Sequence, residues 1–146
     1  MDLEPNLRNF EMKHFGPDVS KWELPHRSNQ KVRPPDFLKV TERDYVINKT
    51  AHDGFISSNI DFILKNLGVK NLFFCGGHTN CCVRFTAASA IKKGYNSILV
   101  EDACIDLLTK LHKEGVESVQ YKEIVTTQLV LKALENFSRQ HESVKT

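Results

Sequence analysis

Residues 75 to 83, Cys75-Gly76-Gly77-His78-Thr79-Asn80-Cys81-Cys82-Val83, place a cysteine pair where a helix is expected to begin, directly after the apolar run Leu72-Phe73-Phe74. A thiol at such a position can serve as a nucleophile. The unpaired N–H groups and the positive dipole end of a helix N-terminus favour a thiolate, lowering the pKa below the free value of about 8.5. Gly76 and Gly77 let the backbone approach a ligand closely and turn N–H groups toward a developing oxyanion. Nucleophile and oxyanion hole can then share one loop. The competing reading of Cys82 is a small core residue on the buried face of the helix, the commoner fate of a free cysteine. Cys75-x-x-His78-x-x-Cys81 imitates a metal-ligand spacing only loosely, because Cys75 ends a buried strand instead of an open knuckle, and no metal is assigned. Gly76-Gly77 lacks the third glycine of a dinucleotide fingerprint, so no cofactor is assigned either.

The surrounding elements position this loop. Tyr45-Val46-Ile47 reads as a short buried strand, and Ile56, Ile60, Ile63, Leu64 and Leu67 recur at helical spacing with Gly68 placed to end the helix. Asn71 to Cys75 reads as the next strand. A helix from about Asn80 to Lys93 then buries Val83, Thr86, Ala87, Ala90 and Ile91 and stops at Gly94. Ser97 to Val100 is a further strand, and Gly115 interrupts a helical stretch from about Leu107 to Tyr121. Ile124-Val125 gives a last short strand, after which Thr126 or Thr127 can cap a helix lined by Val130, Leu131, Leu134 and Phe137. Strand and helix alternate, which implies right-handed crossovers: the expected fold is α/β, a three-layer α/β/α arrangement with a mainly parallel sheet. Ligands in such sheets bind at the carboxyl ends of strands. Lys49, the Gly76 to Cys82 loop and the Asp102 to Asp106 segment all follow strands.

At 146 residues the chain is one domain by length, with 20 basic and 18 acidic residues spread along it and a net charge of +2. No basic patch marks a nucleic-acid or membrane surface, so a small-molecule partner is expected. All five prolines fall within the first 35 residues, which show no sustained period. The expected organisation is an irregular arm over 1–40, a folded domain over 41–140 and a polar tail over 141–146. The first residues lack the basic and apolar regions of a signal peptide and no run is long enough to span a membrane, which predicts a cytoplasmic protein. The four cysteines are clustered and are read as reduced thiols.

One stretch has a specific likeness. Gly77-x-Thr79-Asn80-x-Cys82-Val83-x-x-Thr86-Ala87-x-x-Ala90-x-x-x-Gly94-Tyr95 resembles the signature segment of the isochorismatase-like cysteine hydrolases, which include nicotinamidases and N-carbamoyl amidohydrolases. Asp44 to Lys49, followed by Phe55, resembles the segment with the family's catalytic lysine, and Val100-Glu101-Asp102-Ala103 resembles its next strand end. The resemblance covers roughly residues 40 to 135. It implies Cys82 as nucleophile and Lys49 as the charge that supports its thiolate, although a strand-end lysine more often simply snorkels to water. It implies that Gly77, His78, Thr79 and Cys81 belong to the oxyanion and substrate loop, with a cis peptide between Gly77 and His78. Asp102 is read as structural, bonding nearby backbone N–H groups.

The family's opening strand, which ends in an aspartate acting as general base, has no counterpart in residues 1 to 40. Asp53 and Asp106 lie near enough in sequence to strand ends to be candidate bases. The expectation is therefore a hydrolase of amide or carbamoyl C–N bonds, impaired by loss of that aspartate, with a non-catalytic interaction subunit as the alternative. Loss of a central strand exposes sheet edges, so a homo-oligomer is expected.

Overall fold

The computed structural model describes residues 37–142, which fall into two units dividing between Val46 and Ile47. Most of the expected arm, and the tail beyond residue 142, lie outside the described residues. In the first unit Asp44 closes a turn, its Oδ2 accepting from Thr41 N at 2.7 Å and from Thr41 Oγ1 at 2.8 Å. The strand expected at 45–47 is not formed, and Tyr45 and Val46 are exposed. Three apolar residues make a strand only where a neighbouring strand completes their hydrogen-bond ladder.

The second unit begins with two short helices, α1 (Gly54–Ser57) and α2 (Ile60–Asn66). They replace the single helix expected from the spacing of Ile56 to Leu67. The break is at Ser58, whose backbone is extended and whose Oγ donates back to the Gly54 carbonyl at 2.7 Å and accepts from Ile60 N at 3.2 Å. Serine competes in this way with the helical ladder. Ile56 is consequently 78% exposed and not part of the core. After α2, Gly68 takes a φ of +65° and Val69 N donates to the Leu64 carbonyl, the closure that allows an abrupt stop.

Strand β1 (Asn71–Gly77) leads into a π-helical turn, Thr79–Val83, continuous with helix α3 (Arg84–Lys92). Then follow β2 (Asn96–Ile105), α4 (Thr109–Glu117), β3 (Glu123–Val125) and α5 (Thr127–Glu142). The three described strands form a parallel sheet in the order β1-β2-β3. Asn71 to Phe74 pair with Asn96 to Leu99, after which the register slips so that Gly76 and Gly77 meet Cys104 and Ile105. The slip releases β2 from β1 where Val100 pairs with Val125 of β3.

Alternation along β2 gives the layers. Ser97 and Leu99 lie in register with Leu72 and Phe74, on the face where Phe55, Ala90 and Tyr95 form a cluster with Ile60, Leu64, Leu72 and Phe74. Ile98 and Val100 point to the opposite face and pack with Val125, Ala103 and Val130 of α5. Leu99 is fully buried, worth roughly 1.5–3 kcal/mol of hydrophobic stabilisation. The small residues Ala87 and Ala90 are also fully buried, and Ser97 Oγ donates to the Ala87 carbonyl at 3.1 Å. Helix α3 therefore packs close on the sheet.

Two expectations about helices change. Gly115 does not interrupt a helix but sits inside α4, buried. An added Cβ there would stand 2.6 to 2.8 Å from Asn80 N, Thr79 C and Asn80 Cα, so only glycine permits this contact between helix and turn. On α5, Leu131, Leu134 and Phe137 share a helical stripe but are each about 60% exposed, and only Val130 reaches the core. Helix α5 also begins as expected, with Thr126 Oγ1 accepting from Leu129 N, and runs through residue 142 into the segment read as a polar tail.

Candidate active site

Strand β1 delivers the loop. Gly76 has a φ of +111°, the Gly77–His78 peptide is cis as expected, and Gly77 lies so close to Ile105 that a Cβ would come within 3.1 Å of its Cγ2. The His78 carbonyl accepts from Cys81 N at 3.1 Å and from Val83 N at 3.2 Å, which closes the π-helical turn. Asp106, at the end of β2, fixes the turn from the other side: its Oδ2 accepts from Asn80 N at 2.7 Å and its Oδ1 from Leu107 N at 2.8 Å. The His78 ring, itself exposed, stands 3.5 Å from Asp106 Oδ1. From α4, His112 Nδ1 meets the fully buried Thr79 Oγ1 at 2.9 Å, and Glu114 accepts from the Asn80 side chain at 3.4 Å.

On this scaffold Cys82 Sγ lies 3.4 Å from Lys49 Nζ and 3.6 Å from His52 Nδ1. Cys81 Sγ lies 3.1 Å from the same His52 nitrogen. Lys49 and Cys82, 33 residues apart, are thus brought together. The neighbouring Cys81 thiol, then His52 and the Lys49 ammonium, hold the Cys82 thiol at about 4, down from an ordinary 9.0, against the opposing effect of burial. Cys104 moves the other way: burial, then the nearby Cys75, pushes it up to about 11. Cys82 is thus drawn toward the thiolate while Cys104 is held as a thiol.

The residues that hold Lys49 and His52 in place are local. Lys49 Nζ also donates to the carbonyls of Ala51 at 2.9 Å and His52 at 3.3 Å, curling the segment around itself. Thr86, one turn beyond Cys82, donates to the Cys82 carbonyl at 2.7 Å and accepts from Gly54 N at 3.1 Å. The His52 ring stacks on Phe85 with centroids 6.4 Å apart.

Asp53 and Asp106, the two acids considered from the sequence, are both engaged away from the thiol. Asp53 is buried, caps α1 through Phe55 N at 2.9 Å and accepts a hydrogen bond from Ser89 Oγ. Neither is among the polar partners of Cys82 Sγ. Asp102 is structural, as expected, accepting from Thr127 N and Thr127 Oγ1 at the start of α5, both at 2.7 Å. His52 was not singled out from the sequence, where a lone histidine three positions after Lys49 is a faint signal. Cys81 and Cys82 converge on one imidazole, and the three donor atoms lie within 4.8 Å of one another. Their types suit a soft metal ion.

A thiol on the turn after a parallel strand, beside a lysine from an earlier segment, in an α/β/α fold, defines a class of protein. Residues 6–129 match the isochorismatase domain model. The chain belongs to the isochorismatase family. Among curated relatives, it is 39% identical over 85 residues to a ureidoacrylate amidohydrolase of Azorhizobium caulinodans, a match covering 58% of this chain and 34% of that protein. The chain spans about a third of the length of the first curated relatives it matches. Among solved structures, an isochorismatase-like hydrolase from Alkaliphilus metalliredigens superposes with a TM-score of 0.65 at 27% identity, over 68% of this chain and 56% of that one. A cysteine hydrolase from Pseudomonas syringae shares the fold, with a TM-score of 0.73 at 21% identity over 86% of this chain and 64% of that one.

Proposed function

We propose that this chain is a cysteine hydrolase that cleaves the C–N bond of a small amide or N-carbamoyl compound through an acyl-enzyme on Cys82. The observation that carries the reading is the 3.4 Å contact between Lys49 Nζ and Cys82 Sγ at the carboxyl end of β1. Family membership and the ureidoacrylate amidohydrolase relative support the choice of C–N bonds.

The thiolate attacks the carbonyl carbon, and the oxyanion is received by loop N–H groups. Asn80 N is taken by Asp106 and Cys81 N by the His78 carbonyl, so the donors of this reading are other N–H groups of the 78–82 loop. Collapse expels the amine, and water releases the acyl group. Gly77, Thr79 and Cys81 shape the loop. With both candidate aspartates committed to backbone and serine partners, the usual carboxylate base has no replacement in Asp53 or Asp106. A site working without such a carboxylate is expected to turn over about 10²- to 10⁴-fold more slowly.

The site is expected to work on a small molecule in a homo-oligomer in the cytoplasm. The exposed α5 stripe of Leu131, Leu134 and Phe137 and the unpaired outer edge of β1 among the described strands support a covering partner. No helix among the described residues is long and apolar enough to cross a membrane. The test is incubation with ureidoacrylate, nicotinamide and N-carbamoylsarcosine, with mass spectrometry of the trapped intermediate. An acyl adduct on Cys82 and loss of turnover in Cys82→Ala are expected, and turnover that survives Cys82→Ala sinks the reading.

A further inference from the structure

We propose that His52 is the proton-transfer residue of Cys82, the catalytic imidazole of the site. This rests on the nucleophile reading above. His52 Nδ1 is 3.6 Å from Cys82 Sγ, a separation that an N–H···S hydrogen bond spans, and 3.1 Å from Cys81 Sγ. Its backbone and ring are both positioned: Lys49 Nζ and Thr86 Oγ1 donate to its carbonyl at 3.3 and 3.4 Å, and Phe85 stacks on the ring. Asp53 and Asp106 are bound to Phe55 N, Ser89, Asn80 N and Leu107 N instead. Of the groups beside the sulfur, Lys49 supplies charge and Cys81 a neighbouring thiol. The imidazole alone can both take and return a proton in each half-reaction.

The steps balance with water as the only co-reactant. The cycle begins with Cys82 as the thiolate and its proton on His52 Nδ1 as the imidazolium. The thiolate forms a C–S bond to the carbonyl carbon, and the electron pair of the C=O moves to oxygen. As that pair returns, the C–N bond breaks and His52 Nδ1–H gives its proton to the departing nitrogen. Neutral His52 then takes a proton from water while the hydroxide oxygen attacks the thioester carbon. Breakage of the C–S bond restores thiolate and imidazolium and releases the acid. The same three donor atoms could capture a soft metal ion, but the Lys49 ammonium at 3.4 Å from Cys82 Sγ opposes a second cation there. The assays therefore contain a chelator.

Leaving-group dependence separates proton donation from scaffolding. An amide nitrogen must be protonated to leave, whereas p-nitrophenolate leaves unassisted. His52→Gln is compared with the parent chain on ureidoacrylate and nicotinamide, and on p-nitrophenyl acetate by the first release of p-nitrophenolate. Amide turnover is expected to fall about 10²- to 10⁴-fold and ester acylation by less than about tenfold. Phe85→Leu, which loosens the ring without removing it, is expected to give a smaller loss on the amides alone. Equal falls on both substrates, unchanged amide turnover in His52→Gln, or ester acylation without any amide turnover in the parent chain overturns the proposal. Cys82→Ala abolishes both reactions if the nucleophile reading holds, so survival of either one there marks a failure of that reading and not of His52.

Discussion

Lys49 Nζ stands 3.4 Å from Cys82 Sγ while donating to the carbonyls of Ala51 and His52, so one ammonium anchors its own loop and faces the thiol. A lysine held by two carbonyls has little freedom left to lose when it meets the sulfur. Its position beside the sulfur is thereby fixed within its own segment.

Iodoacetamide is expected to modify Cys82 ahead of Cys75, Cys81 and Cys104 at neutral pH. A thiol at about 4 is almost wholly thiolate there, whereas Cys104 at about 11 is almost wholly protonated. The Cys82 rate should stay flat above about pH 6 and fall tenfold per unit below its midpoint. Peptide mapping after a short pulse reads all four sites, and equal labelling at Cys104 would falsify the assignment.

Removing the supports should raise the Cys82 midpoint in a set order. Cys81 is the largest influence, ahead of His52 and Lys49, so Cys81→Ala is expected to shift it upward more than Lys49→Met. Thiolate absorbance in the ultraviolet, followed against pH in each variant, gives the midpoints directly. A larger shift in Lys49→Met reverses the order of supports.

The same thiolate links stability to pH. Its folded value of about 4 lies below an ordinary 9.0, so the stabilisation is complete above pH 9 and is lost as pH falls through about 4. The Tm difference between the parent chain and Cys82→Ala should therefore move in favour of the parent as pH rises across that window. A difference independent of pH contradicts a depressed folded value.

Gly115→Ala should destabilise the fold by about 1–3 kcal/mol, since the methyl would meet backbone atoms of Thr79 and Asn80 at 2.6 to 2.8 Å and neither can rotate away. Urea unfolding measures this. Slower Cys82 labelling should accompany it, because the displaced turn carries the thiol.

Asp106→Ala leaves the N–H groups of Asn80 and Leu107 without their acceptor, at a cost of about 1–3 kcal/mol, and should lower turnover through the loop. Asp106→Asn keeps an acceptor oxygen and should retain much of both. Were Asp106 instead the base, the asparagine variant would be as inactive as the alanine one, which turnover and melting measured side by side will reveal.

Much of this arrangement is legible in the chain. The apolar run before Gly76 and the small residues Ala87 and Ala90 after Val83 announce a strand and a closely packed helix, and the paired strands and buried alanines follow that pattern. Lys49 became legible only through the resemblance of its segment, because a contact across 33 residues leaves no local trace. The break at Ser58 was hidden by an uninterrupted apolar spacing, since the spacing records which side chains suit burial and not how a hydroxyl redirects the backbone. The stripe on α5 shows the same limit: Leu131, Leu134 and Phe137 have helical periodicity, yet each stays about 60% exposed. His52 lay outside any pattern. Its place depends on Phe85 and on two sulfurs from another segment.

The backbone contact at Gly115 gives the turn a support from α4, behind the loop that carries Cys82. Sequence change along α4 at this contact can therefore act as an adjustment screw, advancing or withdrawing the thiol by fractions of an ångström while Lys49, His52 and Cys82 themselves stay the same. Selection, or an engineer seeking altered reactivity without altered recognition, would find its leverage on that hidden side.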